Sequence, residues 1–294
     1  MNILITGGTG LIGTRLCQQL HQLGHELTVL SRKPETVPTF CKAIRSLDEW
    51  QPTQYFDAVI NLAGESIVDK AWTEARKKVL WDSRVGLTQS LVRCIEAADE
   101  KPSVFISGSA IGYYGNTGDK ILDEGAHAGK DFGAHLCDEW EKAALASSVR
   151  VCVLRTGLVL APSGGFLKKM LPAFKLGLGG SMGSGTQWMS WIHIDDYVAV
   201  LIELLTNPNA QGAYNMTAPQ PLTNQAFTEY LARALNRRVF FSTPAWVLQL
   251  LLGERANLVL GGQRVFPVRV TDLGYTFKYH DLDDTLKALF SKKS

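Results

Sequence analysis

Over the first half of the chain, short aliphatic and β-branched runs alternate with longer segments whose apolar residues recur every three or four positions. The runs predict strands at Asn2–Thr6, Glu26–Leu30, Ala58–Leu62, Ser103–Ser107 and Arg150–Arg155. The longer segments predict helices over Thr14–Leu23, Thr73–Ala98 and Phe132–Ser147. Such alternation is the mark of parallel βαβ units, so the expected class is α/β, with a doubly wound parallel sheet. The second, third and fourth strands end at Ser31, Ala63-Gly64 and Gly108. In an open parallel sheet those carboxyl ends form the ligand crevice.

After about residue 160 the pattern changes. The glycine-rich stretch Gly177–Gly185 precedes a strand-like Trp188–Ile194 and a helix over Asp195–Leu205. Helices are expected over Thr223–Leu235 and Pro244–Leu252, with short strands around Arg238–Ser242 and Asn215–Thr217. Residues 1–160 therefore read as a nucleotide-binding domain. Residues 161–294 read as a smaller C-terminal α+β substrate lobe, interleaved with the sheet and not independent of it.

Composition narrows the function classes. At 294 residues, 46% hydrophobic and 20% charged, with a net charge of +2 and no run of like charges, the chain gives no support to a nucleic-acid or membrane partner. Five scattered cysteines (Cys17, Cys41, Cys94, Cys137, Cys152) without a CxxC pair read as thiols in a reducing compartment, with no metal framework. Ile3-Leu4-Ile5 is too short for a signal peptide or a membrane span, so a soluble, cytoplasmic protein is expected.

The strongest motif is Gly7-Gly8-Thr9-Gly10-Leu11-Ile12-Gly13, which leaves the first strand and opens the first helix. Gly7 permits the tight turn, Gly10 lets the backbone approach a pyrophosphate, and Gly13 lets helix and strand pack closely. The helix N-terminus adds unpaired N–H groups and partial positive charge. Together these are the Rossmann dinucleotide fingerprint. The second strand ends in Leu30-Ser31-Arg32-Lys33, with no acid before Glu35. An acid there would accept from the ribose 2′-hydroxyl of NAD and repel a 2′-phosphate; Ser31 and Arg32 suit the 2′-phosphate, so NADP is the expected cofactor. Asn61-Leu62-Ala63-Gly64 closes a later strand with small residues near the expected adenosine.

With Phe105-Ile-Ser-Gly-Ser-Ala-Ile-Gly-Tyr-Tyr-Gly115, Leu154-Arg-Thr-Gly-Leu-Val-Leu160 and Trp191-Ile-His-Ile-Asp-Asp196, the chain resembles the extended short-chain dehydrogenase/reductase superfamily. The resemblance is to its nucleotide-sugar epimerase branch, the NAD-dependent epimerase/dehydratase family. Leu258-Val-Leu-Gly-Gly-Gln-Arg-Val-Phe-Pro267 and Leu273-Gly-Tyr-Thr-Phe277 resemble the extra C-terminal segment of an atypical subgroup, whose bacterial members are labelled epimerase family proteins.

The resemblance implies an Asn–Ser–Tyr–Lys catalytic set, with Tyr as acid/base and Ser polarising the substrate oxygen. Ser109 matches the Ser, and Ser107 lies at the same strand end beside the expected cofactor. About 23 residues on, Phe132 stands in the Tyr place and Leu136 in the Lys place. The Asn place falls on Ser83 or Arg84. A phenyl ring has no titratable proton, so the proton must come from elsewhere: from Tyr113, Tyr114, His135 or water. The plainer reading packs both tyrosines around the cofactor and leaves His135 an ordinary helix residue.

His193, Asp195 and Asp196 lack a further His or Cys to complete a metal site, and none is expected. Trp188, Trp191 and Arg155 are candidates for the substrate pocket, although Trp191 equally suits the core. The apolar positions of Trp72–Ala98 suit a homodimer interface or burial against the sheet. Two functions follow. One is an NADP(H)-binding, epimerase-like oxidoreductase or isomerase acting on a small-molecule or nucleotide-linked substrate around Ser109. The other is a catalytically silent NADP(H)-binding sensor or scaffold.

Overall fold

Residues 1–162, 164–239 and 241–290 are described by the structure, a computed structural model. The main sheet has seven strands: β1 (Asn2–Thr6), β2 (Glu26–Leu30), β3 (Lys42–Ile44), β4 (Ala58–Asn61), β5 (Val104–Ala110), β6 (Arg150–Thr156) and β7 (Gly212–Met216). Their spatial order is β3-β2-β1-β4-β5-β6-β7. β1 runs parallel to β2 and β4, β2 to β3, and β4 to β5. This is the Rossmann order, reversing direction between β1 and β4, where ligands bind outside the strand ends. The register sets Thr6 beside Leu30 and Asn61, so β1, β2 and β4 end level with one another, while β5, whose Ser107 lies beside Asn61, runs on to Ala110.

Helices α1 (Leu11–Gln22), α2 (Glu74–Trp81), α3 (Leu87–Ala97) and α4 (Phe132–Leu145) follow the expected segments closely. α1 buries Gly13, Leu16, Cys17 and Leu20, the stripe that a 3.6-residue period places on one face. The single helix expected over Thr73–Ala98 is interrupted: Asp82–Gly86 form a π-helical turn between α2 and α3. Such turns insert a residue into the helix and are enriched at functional sites. β3 escaped the hydrophobic pattern because it has only three residues, two of them exposed.

The chain forms two compact units, each built from three segments, whereas the sequence pattern drew one boundary after residue 160. The first comprises residues 1–110, 135–155 and 198–214; the second comprises 111–134, 156–197 and 215–294. The core of the first unit joins Leu4, Phe56, Val59, Leu91, Ile95, Phe105 and Val153. That of the second joins Leu160, Leu167, Phe174, Trp191, Phe227, Leu231, Leu282 and Leu286.

The second unit consists of short strand pairs and helices. Leu158–Leu160 runs parallel to Trp191–His193, and Gly180–Met182 to Phe241–Thr243. The strand expected over Arg238–Ser242 is thus shifted toward the C-terminus, and Phe240 lies outside the described residues. Trp188–Ile194 is not one strand. It breaks at buried Ser190, whose hydroxyl donates to the Gln263 carbonyl and accepts from the Val265 N–H. The C-terminal segment is fixed by two carboxylates, Asp196 buried and Glu124 half-buried. Asp196 accepts from the Tyr275 hydroxyl (2.8 Å) and from the N–H groups of Lys278 and Tyr279 (2.9 Å each). Glu124 accepts from the Asn215 and Arg269 amides. Among the described residues, no helix is long and apolar enough to cross a membrane.

Candidate functional site

The turn after β1 is closed by glycine geometry. Gly7 has φ +73°, a left-handed conformation, and a Cβ there would lie 2.6 Å from the Leu62 carbonyl carbon. A Cβ on Gly13 would lie 2.1 Å from the Gly7 oxygen, so only glycine lets α1 settle onto the turn. Gly10 caps α1 without a side-chain acceptor, which leaves first-turn N–H groups available to an anion.

This turn borders a cavity of about 950 Å³ within the first unit. Gly7, Thr9, Gly10, Ser31, Arg32, Leu62, Ala63 and Gly64, all expected at a cofactor, line it. Leu11, Ile12, Gly13, Asn61 and Ser107 do not line it. Asn61 acts from behind. Its amide oxygen accepts from the Thr6 hydroxyl (2.6 Å), and its amide nitrogen donates to the Thr88 hydroxyl on α3 (2.8 Å). Ser107 is fully buried and directs its hydroxyl at the Gly108 carbonyl.

Several lining residues were not found from sequence. Ser83, Leu87, Ser90, Cys94 and Ala97 form one stripe along the π turn and α3, at spacings of four and three that the amphipathic pattern does contain. Arg45 and Arg93 join Arg32 and Lys33 to make the lining predominantly cationic, against Asp48 and Glu65. Glu65 is the largest surprise. The end of β2 is free of acids, as expected, but the sheet brings Glu65 beside it from the segment after β4. The Arg32 guanidinium donates to its carboxylate at 2.8 Å. That hydrogen bond, aided by Arg76 and opposed by burial, holds the Glu65 carboxyl below the usual carboxylate range.

The end of β5 is arranged differently. Buried Ser109 donates its hydroxyl proton to Glu141 Oε1 at 2.7 Å. Arg155 clamps the same carboxylate, its Nε on Oε1 and its terminal nitrogen on Oε2, both at 2.9 Å. Arg155 is therefore half of a buried ion pair in the first unit. Burial, then the Glu141 charge, pushes the Cys137 thiol up to about 12, and burial also pushes Cys17 up to about 12. Neither thiol is a nucleophile at neutral pH.

Phe132 is the first residue of α4, and Leu136 is 1% exposed in the core. His135 is exposed, with its ring 5.6 Å from that of Trp81. In the second unit, Tyr113 and Tyr114 occupy a 3₁₀ turn with their rings edge to face at 5.4 Å. Tyr114 is buried and donates to Asn215 at 2.6 Å, whereas Tyr113 is half-buried. Trp191 is core, its indole N–H bonded to the Gln220 carbonyl. Trp188 donates to Asp119 and lies under the Arg264 guanidinium, 4.3 Å away. Among the described residues, no group of His, Cys, Asp and Glu is placed to hold a metal ion.

The profile of the NAD dependent epimerase/dehydratase family matches residues 3–217. The chain belongs to this family. A domain of unknown function (DUF1731) matches residues 243–289, which covers the tail segment picked out from sequence. The chain is 40% identical over 301 residues to the Arabidopsis thaliana epimerase family protein SDR39U1 homolog, chloroplastic, covering 98% of this chain and 86% of that protein. It is similar to the crystal structure of human epimerase family protein SDR39U1 with NADPH, at 37% identity and a TM-score of 0.91, covering 98% and 99% of the two chains. Likeness to the UDP-glucuronic acid 4-epimerase of Bacillus cereus, at 17% identity, a TM-score of 0.78 and 98% and 97% coverage, speaks for the fold alone.

Proposed function

We propose that this chain binds NADP(H) in the cavity at the ends of β1, β2 and β4, and that it is an epimerase-like oxidoreductase acting on a small or nucleotide-linked substrate. The observation that carries the reading is the pairing of an uncapped, glycine-lined helix N-terminus with Ser31 and Arg32 on one cavity. The first feature suits a pyrophosphate, and the second suits a 2′-phosphate. Gly7 and Gly13 supply the cradle, where any side chain would collide with backbone. Thr9, Leu11 and Ile12 offer backbone N–H groups, Gly10 closes the turn by donating its own to the Gly7 carbonyl, and Leu62, Ala63 and Gly64 flank the adenosine, supported from beneath by Asn61. Ser107 supports the neighbouring strand end. The human relative named above was crystallised with NADPH, which agrees with this reading.

When bound, a nicotinamide supplies hydride chemistry. The chain's own part is to orient a substrate oxygen and move a proton. Phe132 and Leu136 can do neither, so we assign the proton to Tyr113 and the orientation to Ser109. A second reading, NADP(H) binding without turnover, is favoured by one observation: the Ser109 proton is already engaged by Glu141. Ser109 in that state accepts a hydrogen bond and cannot polarise a carbonyl by donating one.

Fluorescence titration with NADPH and NADH, followed by NADPH oxidation against a carbonyl panel, tests both readings. Tight NADPH binding with substrate-dependent oxidation that falls in Tyr113→Phe supports the enzyme. Tight binding with no oxidation supports the silent reading, and binding of neither nucleotide contradicts both.

A further inference from the structure

We infer that Glu65 is a positioning residue for 2′-phosphate recognition: it holds the Arg32 guanidinium at the cavity rim without itself serving as a ligand. The inference deepens the NADP(H) reading and rests on it.

Arg32 follows β2 in a loop, and its side chain is 89% exposed. An exposed arginine explores many rotamers and gives up that freedom when it grips a phosphate. Glu65 restricts it beforehand. One terminal nitrogen of Arg32 donates to Glu65 Oε1, which leaves the planar fork its remaining N–H groups for an anion.

Glu65 is itself held on several sides. Its Oε2 accepts from Arg76, a side chain only 9% exposed, at 3.3 Å. Its backbone N–H donates to the Ser83 hydroxyl (3.2 Å), and its carbonyl accepts from Arg84 (2.9 Å). Ser83 and Arg84 both belong to the π turn. Arg84 also packs against Gly64 and lies over the Trp140 ring, 5.4 Å from its centroid. The departure from regular helix therefore has a local consequence: it supplies the two groups that fix the Glu65 backbone, and the Glu65 side chain then fixes Arg32.

A carboxylate near a phosphate also repels it, and the sign of the net effect needs a reason. Three guanidinium groups, those of Arg32, Arg76 and Arg84, bond to this one acidic residue, so the local charge remains positive. Each Glu65 carboxylate oxygen already faces an arginine. Preorganisation of Arg32 then outweighs the residual repulsion.

The test is a set of dissociation constants for NADPH and NADH, read by fluorescence, for the wild type, Glu65→Ala, Glu65→Gln, Arg32→Ala and the Arg32→Ala/Glu65→Ala double variant. Glu65→Ala is expected to weaken NADPH about fivefold to tenfold and to leave NADH within about twofold. Glu65→Gln, which keeps an acceptor oxygen for Arg32, should recover part of the loss. The double variant should bind NADPH no more weakly than Arg32→Ala alone, because the two residues act through one contact. Unchanged or tighter NADPH binding by Glu65→Ala overturns the inference, as does a parallel loss of NADH, which would mark a merely structural role. A wild type that does not prefer NADPH overturns the NADP(H) reading, and the inference falls with it. A wild type that prefers NADPH, with Glu65→Ala unaltered, overturns the inference alone.

Discussion

The ends of β1, β2 and β4 and the end of β5 lie on the same sheet, yet they treat their polar groups in opposite ways. At the first, helix N–H groups are uncapped and Arg32, Lys33, Arg45 and Arg93 line an open cavity. At the second, Ser109, Glu141 and Arg155 are buried and bonded to one another. Polar groups left open at a cavity are available to a ligand, whereas groups that satisfy each other chiefly hold structure. The glycine fingerprint Gly7-x-x-Gly10-x-x-Gly13 stands at the open end.

The largest effect should come from breaking the closed end. Glu141→Ala removes the carboxylate that the buried Arg155 clamps, and urea unfolding should show a loss of about 3–5 kcal/mol. A loss below about 1 kcal/mol would mean that the triad does not hold the β5 end. Next comes Gly13→Ala at the open end, where the added methyl collides with the Gly7 carbonyl. It should cost about 1–3 kcal/mol of stability and remove detectable nucleotide binding. Arg32→Ala should leave the melting temperature unchanged while weakening NADPH about tenfold or more, with NADH almost unaffected. Equal losses for both nucleotides would detach Arg32 from the 2′-phosphate.

The smallest effect concerns a carboxylate outside both ends. Glu96 falls from an ordinary 4.5 to about 2, held down first by Lys101 and then by the Ser148 amide and hydroxyl. Its folded-state pKa is depressed, so its contribution to stability is present above about 4.5 and is lost as pH falls through about 2. Glu96→Gln should flatten the stability-versus-pH curve over that window and leave nucleotide affinity intact. An unchanged slope would show that Glu96 does not carry the acid limb.

The open end was legible in sequence because its signals are local. Gly7, Gly10 and Gly13 sit within one turn, and Ser31 and Arg32 directly follow one strand. Strands β1 and β2 and helix α1 were readable for the same reason, each carrying a full hydrophobic period. The closed end was not legible. Ser109, Glu141 and Arg155 are distant in sequence and meet only when α4 packs beside β5 and β6, so Arg155 read as a pocket residue. Glu65 was missed similarly, because β2 and β4 become neighbours of β1 only in the folded sheet. The π turn at Asp82–Gly86 left no mark in a pattern that continues through it, and Ser190 broke a strand through side-chain bonds that hydropathy does not record.

The most direct measurement is calorimetric titration of the wild type and Arg32→Ala with adenosine 2′,5′-bisphosphate and with 5′-AMP, which probe the open cavity without the nicotinamide. The wild type should bind the bisphosphate about tenfold more tightly or better, and Arg32→Ala should lose most of that advantage. Equal affinity of the wild type for the two ligands, or binding of neither, would contradict the account.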